Sequence, residues 1–288
     1  MKKVGIIDNY ISNFHTNTYH KLFHEIAAEE NREEYVITHI YAKTEQSPST
    51  KETTAQWCEK YNAKECKSIQ EVCDASDVIM VLSPNNPELH EELCEIPLKS
   101  GKPVYIDKTF APDFKTANAI KELGEKNNAV FWSSSATRFE PQLADYLSEN
   151  HPTAQTVTIQ SGNVFEIYSV HLIELMNTVM KNGAAFVICR NNSANLVFDI
   201  EFKDGRHAFI NQFIGTWAPF RLYPEINGAC REICLGNDFW KSFAKALLDF
   251  FDTKKAPIAI ESTVECIAVR SAMKKAMQNV GEKIAVEE

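Results

Sequence analysis

Over the first 135 or so residues, short apolar runs alternate with stretches of helical period, and no other feature of the chain restricts its fold as much. Residues 3–7 (KVGII) form an apolar run closed by Asp8, the pattern of a buried parallel strand. A polar stretch leads into TYHKLFHEIAAEE, where Tyr19, Leu22, Phe23, Ile26 and Ala27 fall at helical spacing. YVITHIYA is β-branched and aromatic and reads as a second strand. Parallel strands need a crossover, so this is a βαβ unit. The alternation continues through helices at TTAQWCEKYNA and SIQEVCDAS, a strand at DVIMVLS and a helix at PELHEELCEIPLKSG. A strand at PVYID, a helix at TANAIKELGEKNN and a strand at AVFWSS follow. Such a succession predicts a doubly wound parallel sheet over residues 1–135.

After that the pattern changes. Residues 139–150 read as helix, TVTIQSG as a new strand, and VHLIELMNTVMKNG as a helix with Gly183 in the C-cap position. From Ala184 to about Leu235 the strands are AAFVICR, NLVFDIEF, RHAFINQFIGTW and ACREICL, with an Asp204-Gly205 hairpin signal between two of them. The end returns to helix in DFWKSFAKALLDFFD and STVECIAVRSAMKKAMQ. The expectation for residues 136–288 is therefore an α+β domain with a mostly antiparallel open sheet, its helices on one face. In NLVFDIEF, Phe198, Ile200 and Phe202 alternate with Val197, Asp199 and Glu201, so one face is apolar and asks for cover.

Charge narrows the partners. Thirty Lys and Arg against thirty-nine Asp and Glu give a formal net charge of −9, which argues against a phosphate backbone. The N-terminus offers no signal-peptide core before Asp8, and no run approaches the ~18–20 apolar residues of a membrane span. The eight cysteines are scattered without a CxxC pair; Cys230 and Cys234 lack nearby histidines, so no metal site is expected. Thiols used this way suit a reducing cytoplasm.

Doubly wound sheets bind ligands at the carboxyl ends of their strands, and Rossmann-like ones cradle a pyrophosphate with GxGxxG after the first strand. Here that loop is Asp8-Asn9-Tyr10-Ile11-Ser12-Asn13, without a glycine, and Asp8 brings a negative charge to the place phosphates occupy. Two readings stay open. Either the domain keeps the fold and binds dinucleotide weakly or not at all, or Ser12, Asn13 and the N–H groups of the first helix replace the glycines. At the end of the second strand Lys43 follows Tyr41-Ala42, where an acidic residue commonly meets the ribose; a lysine there suits a 2′-phosphate or is simply solvated.

Two further strands end at that edge, in Ser83-Pro84-Asn85, with His90 opening a helix, and in Asp107-Lys108-Thr109 after Gly101-Lys102-Pro103. These residues resemble the glucose–fructose oxidoreductase, inositol dehydrogenase and MocA group (Gfo/Idh/MocA), whose members read roughly DVIxIATPNxxH, a helix, then GKHVxxEKPxA. Asp77-Val78-Ile79, Pro84-Asn85, His90, Gly101-Lys102, Val104, Lys108 and Ala111 are in register. The chain departs in two extra residues before His90 and in Asp-Lys-Thr for Glu-Lys-Pro. Ala136-Thr137-Arg138-Phe139-Glu140-Pro141 is similar to the family's NRFxP segment, and His171-Leu172-Ile173-Glu174-Leu175 to its HLIDL helix start.

The resemblance implies an NAD(P)-dependent oxidoreductase acting on a sugar, polyol or related small molecule, with NAD or NADP as cofactor. It implies Lys108 beside the nicotinamide and His171 as the group that takes the hydroxyl proton, a role that fits an imidazole titrating near neutrality. The ammonium would stabilise charge developing on oxygen. By the same resemblance Asp8, Ser12, Asn13, Lys43, Ser83, Pro84, Asn85, His90, Asp107 and Lys108 line the cofactor, and Lys108, Glu166, Tyr168, His171 and Glu174 the substrate. Family members often carry an aspartate four residues before the histidine; here Ile167 stands there, between Glu166 and Tyr168. The alternative is a non-catalytic relative that binds a small ligand in the same cleft. The family pairs its second-domain sheets, so a homodimer or homotetramer is expected.

Overall fold

The computed structural model describes residues 1–149, 153–236 and 238–287. Its first strands and helices are β1 (Lys2–Asp8), α1 (Phe14–Glu30), β2 (Tyr35–Ala42), α2 (Thr54–Tyr61), β3 (Lys64–Glu65), α3 (Ile69–Ala75) and β4 (Val78–Val81). Then come α4 (His90–Cys94), β5 (Val104–Ile106), α5 (Phe114–Lys126), β6 (Phe131–Trp132) and α6 (Pro141–Ser148). The remainder is β7 (Thr156–Gly162), α7 (Phe165–Met180), β8 (Ala184–Asn192), β9 (Asn195–Phe202), β10 (His207–Phe213) and β11 (Ala218–Ile226). Short β12 (Ala229–Cys230) and β13 (Ile233–Cys234), then α8 (Phe239–Thr253), α9 (Ile260–Gln278) and β14 (Lys283–Ala285), close the chain.

The chain divides into two compact units, residues 1–134 with 244–260, and 135–243 with 261–288. In the first, six strands run in the order β3-β2-β1-β4-β5-β6, every pair parallel. This is the doubly wound order expected of the alternation, with the topological switch between β1 and β4. Val4, Ile6, Ile7, Ile79, Met80 and Val81 are fully buried at its centre. Gly5 is required there, since a Cβ would come 2.5 Å from both Val72 and Ser76 on and after α3. Residues 244–260 return to this unit late in the sequence. Arg32 holds Asp249 at 2.9 Å and Asp252 at 2.5 Å, Tyr35 donates to Asp252 at 2.7 Å, and the Phe250 ring meets that of Trp132 at 5.7 Å.

PELHEELCEIPLKSG is not one helix. Pro87 and Pro97 each open a 3-10 turn, leaving α4 with five residues between them. Proline favours the first turn of a helix and removes an interior hydrogen bond, which accounts for the break. The helix expected over 139–150 is a 3-10 turn at Ala136–Phe139 followed by α6; position 150 lies outside the described residues.

In the second unit the order is β12-β11-β7-β10-β9-β8-β14, with β13 also on β11. Only β7–β10 is parallel, so the sheet is mixed and mostly antiparallel, as expected. Gly205, at φ 85°, makes the hairpin between β9 and β10. The cap of α7 is Lys181 rather than Gly183. The apolar face of β9 also differs from its expected use. Phe198, Ile200 and Phe202 are at most 2% exposed and turn inward under the unit's own helices, Phe165 of α7 meeting Phe198. The outward face carries the paired row Ile188, Asp199, Phe209, Thr158 and Tyr223, in which apolar and polar residues are mixed.

Candidate functional site

At the carboxyl edge of the parallel sheet, β1 ends in the fully buried Asp8 and β5 is followed by the fully buried Asp107. Asp8 Oδ1 accepts from the backbone N–H of Asn9 at 2.7 Å and of Ser83 at 2.9 Å, and Oδ2 from Asn13 Nδ2 at 2.9 Å. It therefore ties the loop after β1 to the end of β4. Burial pushes its pKa up to about 7, against neutral donors that favour the ionised form. Asn13 is the N-cap of α1, its Oδ1 accepting from Thr16 N at 3.1 Å. Ser12 Oγ donates to Glu52 Oε2 at 2.6 Å and accepts from Thr50 Oγ1 at 3.0 Å. Asn9 spans the loops, donating to Asn86 Oδ1 at 3.0 Å and accepting from Thr44 Oγ1 at 2.9 Å.

Asp107, by contrast, sits beside His15, whose pKa burial lowers, and Lys108. His15 Nδ1 lies 2.6 Å from its Oδ2, while Oδ1 accepts from Lys108 N at 2.9 Å and Tyr105 OH at 3.0 Å. Burial would raise its pKa, but His15 and then Lys108 hold it below the ordinary carboxylate value. Lys108 is 5% exposed and donates through Nζ to the Pro84 carbonyl at 3.0 Å. Burial pulls its pKa down, with Asp107 working the other way. An ammonium held in a dry setting, on one carbonyl and beside one carboxylate, is equipped to stabilise negative charge on an oxygen or to give it a proton.

The remaining first-unit candidates are placed differently. His90 is buried with Nδ1 3.1 Å from the Phe110 carbonyl and Nε2 at the Leu82 carbonyl, pinning the end of β4 to the segment after Lys108. Burial lowers its pKa. Ser83 adopts a left-handed φ of 62° and its Oγ donates to the Asn86 carbonyl at 3.3 Å. Asn85 is exposed, and Lys43 is exposed and paired with Glu92.

In the second unit, Glu166, Tyr168, His171 and Glu174 all lie on α7. On this helix the positions three and four before His171 share its face, and Tyr168 meets the His171 ring at 5.6 Å. Phe220 of β11 stacks on Tyr168 at 6.1 Å and meets His171 edge-on at 5.7 Å. His171 Nδ1 is 2.7 Å from Ser135 Oγ. Glu174 is 2% exposed and paired with Arg138 Nε, while Glu166 is exposed.

Sequence reading missed His15, Phe220 and Ser135. His15 begins the stripe His15, Tyr19, Leu22, Phe23 and Ile26, whose period already turns it toward the sheet. Phe220 was hidden because Pro219 and Pro224 argue against a strand.

For a nicotinamide dinucleotide, the end carrying Lys108, the Pro84 carbonyl and Asp107 has the donors and acceptors to meet a nicotinamide and a reacting oxygen. The end at the mouth of α1 is satisfied by the chain itself, with the Glu52 carboxylate on Ser12 where a Rossmann fold commonly receives phosphate. The residues fit the group at the first end, and the second has to release its own contacts. Among the described residues no helix is long and apolar enough to cross a membrane.

Residues 3–135 match the GFO_IDH_MocA family, described as an oxidoreductase family with an NAD-binding Rossmann fold. No curated protein matches the sequence. Among solved structures, a probable dehydrogenase from Thermotoga maritima is 13% identical, with TM-score 0.80 over 99% of this chain and 98% of that one. GenD2 from gentamicin A biosynthesis, in complex with NAD, is 11% identical, with TM-score 0.80 over 100% and 97%. A myo-inositol dehydrogenase from Corynebacterium glutamicum is 12% identical, with TM-score 0.79 over 100% and 99%. Identities this low carry the fold alone. The six-stranded parallel order and the match over residues 3–135 together give this part of the chain the NAD-binding Rossmann fold of the Gfo/Idh/MocA oxidoreductase family.

Proposed function

We propose that the protein is an NAD(P)-dependent dehydrogenase or reductase acting on a hydroxyl or carbonyl of a sugar, polyol or related small molecule. The observation that carries this reading is the buried Lys108 ammonium at the carboxyl edge of the parallel sheet, held by the Pro84 carbonyl and flanked by Asp107 and His15. A nicotinamide dinucleotide, when bound, supplies or takes the hydride. Lys108 stabilises the charge that develops on the substrate oxygen. His171 takes up or returns the hydroxyl proton. The Pro84 carbonyl holds the Lys108 side chain and Asp107, paired with His15, holds its backbone N–H, while Asp8 and Asn13 shape the loop after β1. Structural neighbours described as a myo-inositol dehydrogenase and as GenD2 from gentamicin A biosynthesis support a carbohydrate-like substrate.

Fluorescence titration with NADH and NADPH tests the reading: saturable binding of one of them is expected. No binding by millimolar concentration overturns it in favour of a relative that keeps the cleft without hydride transfer. We also propose a homodimer or larger assembly through the outward face of the second sheet, where Ile188, Phe209 and Tyr223 align. A single species near 32.6 kDa by light scattering at micromolar concentration would refute that.

A further inference from the structure

We infer that Ser135 is a positioning residue for His171. Its hydroxyl holds Nδ1 so that Nε2, on the far edge of the ring, is the nitrogen that exchanges the substrate proton. The inference rests on the reading of His171 as the proton-transferring group, and three observations support it.

First, the attachment is made at two points. The 3-10 turn Ala136–Phe139 is preceded by its cap Ser135 and carries Arg138. Ser135 meets His171, and Arg138 Nε donates to Glu174. The two turn residues are three apart, and so are their partners on α7. Residues three apart nearly eclipse in a 3-10 turn and share a face on an α-helix. The turn and α7 therefore lie in register. One contact alone would leave α7 free to rotate or slide, whereas two fix both motions. Arg138 is anchored in turn by Ser262 Oγ at 3.3 Å and Cys266 Sγ at 3.4 Å on α9.

Second, the ring is confined. Tyr168 and Phe220, themselves stacked, both meet the imidazole edge-on. A ring confined on that side and bonded through Nδ1 has little freedom to flip its nitrogens.

Third, the partner is a hydroxyl, which serves both states of the ring. Ser135 Oγ accepts from Thr137 N at 3.2 Å and lies 2.7 Å from Thr137 Oγ1. For Nε2 to exchange the proton, Nδ1 carries its hydrogen in both states of the ring, and Ser135 accepts it and donates to Thr137 whether Nε2 is bare or protonated. Nδ1 thus stays satisfied as Nε2 gains or loses its proton, with no heavy atom moving. A carboxylate in this place would instead favour the imidazolium.

The test pairs 15N NMR of His171 with kinetics on the intact protein. In the wild type the Nδ1 shift should report a hydrogen bond on both sides of the imidazole titration. Ser135→Ala should abolish that signature and lower kcat about tenfold while KM stays within about twofold. Ser135→Thr should restore both. Ser135→Asp should move the His171 titration and the matching limb of the pH–rate profile to higher pH by about one unit. If the wild-type Nδ1 shows no hydrogen bond, or if Ser135→Ala leaves the 15N shifts and the pH profile unchanged, the positioning role is wrong. The wild-type spectrum decides this even if Ser135→Ala does not fold. If His171→Ala keeps full activity while the NMR signature is present, the assignment of His171 fails instead, and with it the catalytic meaning of the contact.

Discussion

The two buried aspartates at the ends of β1 and β5 occupy equivalent places on one sheet edge and do opposite things. Asp8 is surrounded by neutral donors from Asn9, Asn13 and Ser83, and its pKa rises to about 7. Asp107 is equally buried but faces His15 and Lys108, and its pKa falls below the ordinary value. Burial acts on both alike, so the neighbours decide the sign. A neutral shell makes a carboxyl group into a support for a loop. A shell holding an imidazole and a lysine favours its ionised form and leaves a buried lysine beside it. The loop after β1 has spent its polar groups on itself, and the other end keeps a charge to work with.

Removing that charge should have the largest effect. Lys108→Ala should lower turnover by about 10²–10⁴, the range for a positioned acid–base or electrostatic group. The assay is NAD(P)+-coupled oxidation of whichever polyol a substrate screen finds, with circular dichroism checking the fold. An unchanged rate would leave the Asp107 end no more active than the Asp8 end, and the contrast would collapse.

The loop end is reached through Glu52, whose side chain is 23% exposed. Unit charges about 4 Å apart interact by about 4 kcal/mol at an effective dielectric of about 20, and screening at a partly exposed group leaves about 1 kcal/mol. Glu52→Gln should therefore tighten NADH or NADPH about fivefold in the fluorescence titration. Weaker binding would mean that Glu52 is a ligand to the cofactor and that the loop does not compete with it.

A third test addresses the sign of the Asp8 shift. A carboxyl group near 3.9 in the unfolded chain and near 7 in the folded one holds more protons when folded between those values. Stability from this group is then fully present at low pH and falls as pH rises through that window. Asp8→Asn removes the slope. Its stability relative to wild type, from urea unfolding, should improve between pH 5 and pH 8. A difference that is constant with pH would show that the neutral donors outweigh burial, and that both aspartates are ionised.

The sheet edge itself was legible, because strand ends are marked by where apolar runs stop; Asp8, Ser83, Asp107 and Lys108 all fall there. The partners of those groups were much less so. His15 stands in a segment that reads locally as polar loop, and only its helical period with Tyr19 and Phe23 betrays its direction. Ser135 and Arg138 meet residues 36 positions away. Such pairings depend on how one helix is rotated against another element, and a periodicity argument carries no such information. The same limit explains β9, where an apolar stripe shows that a face is covered but not by what.

The late return of residues 244–260 bears on how the molecule is made. A gene fragment ending at residue 134 lacks Asp249, Phe250 and Asp252, the partners of Arg32, Trp132 and Tyr35. Domains commonly mature in order as they leave the ribosome, the N-terminal one first. Here the first unit has to wait, its flank uncovered, until more than a hundred residues belonging to the other unit have been translated. In topological terms each unit is interrupted by a segment of the other, the first by residues 135–243 and the second by residues 244–260.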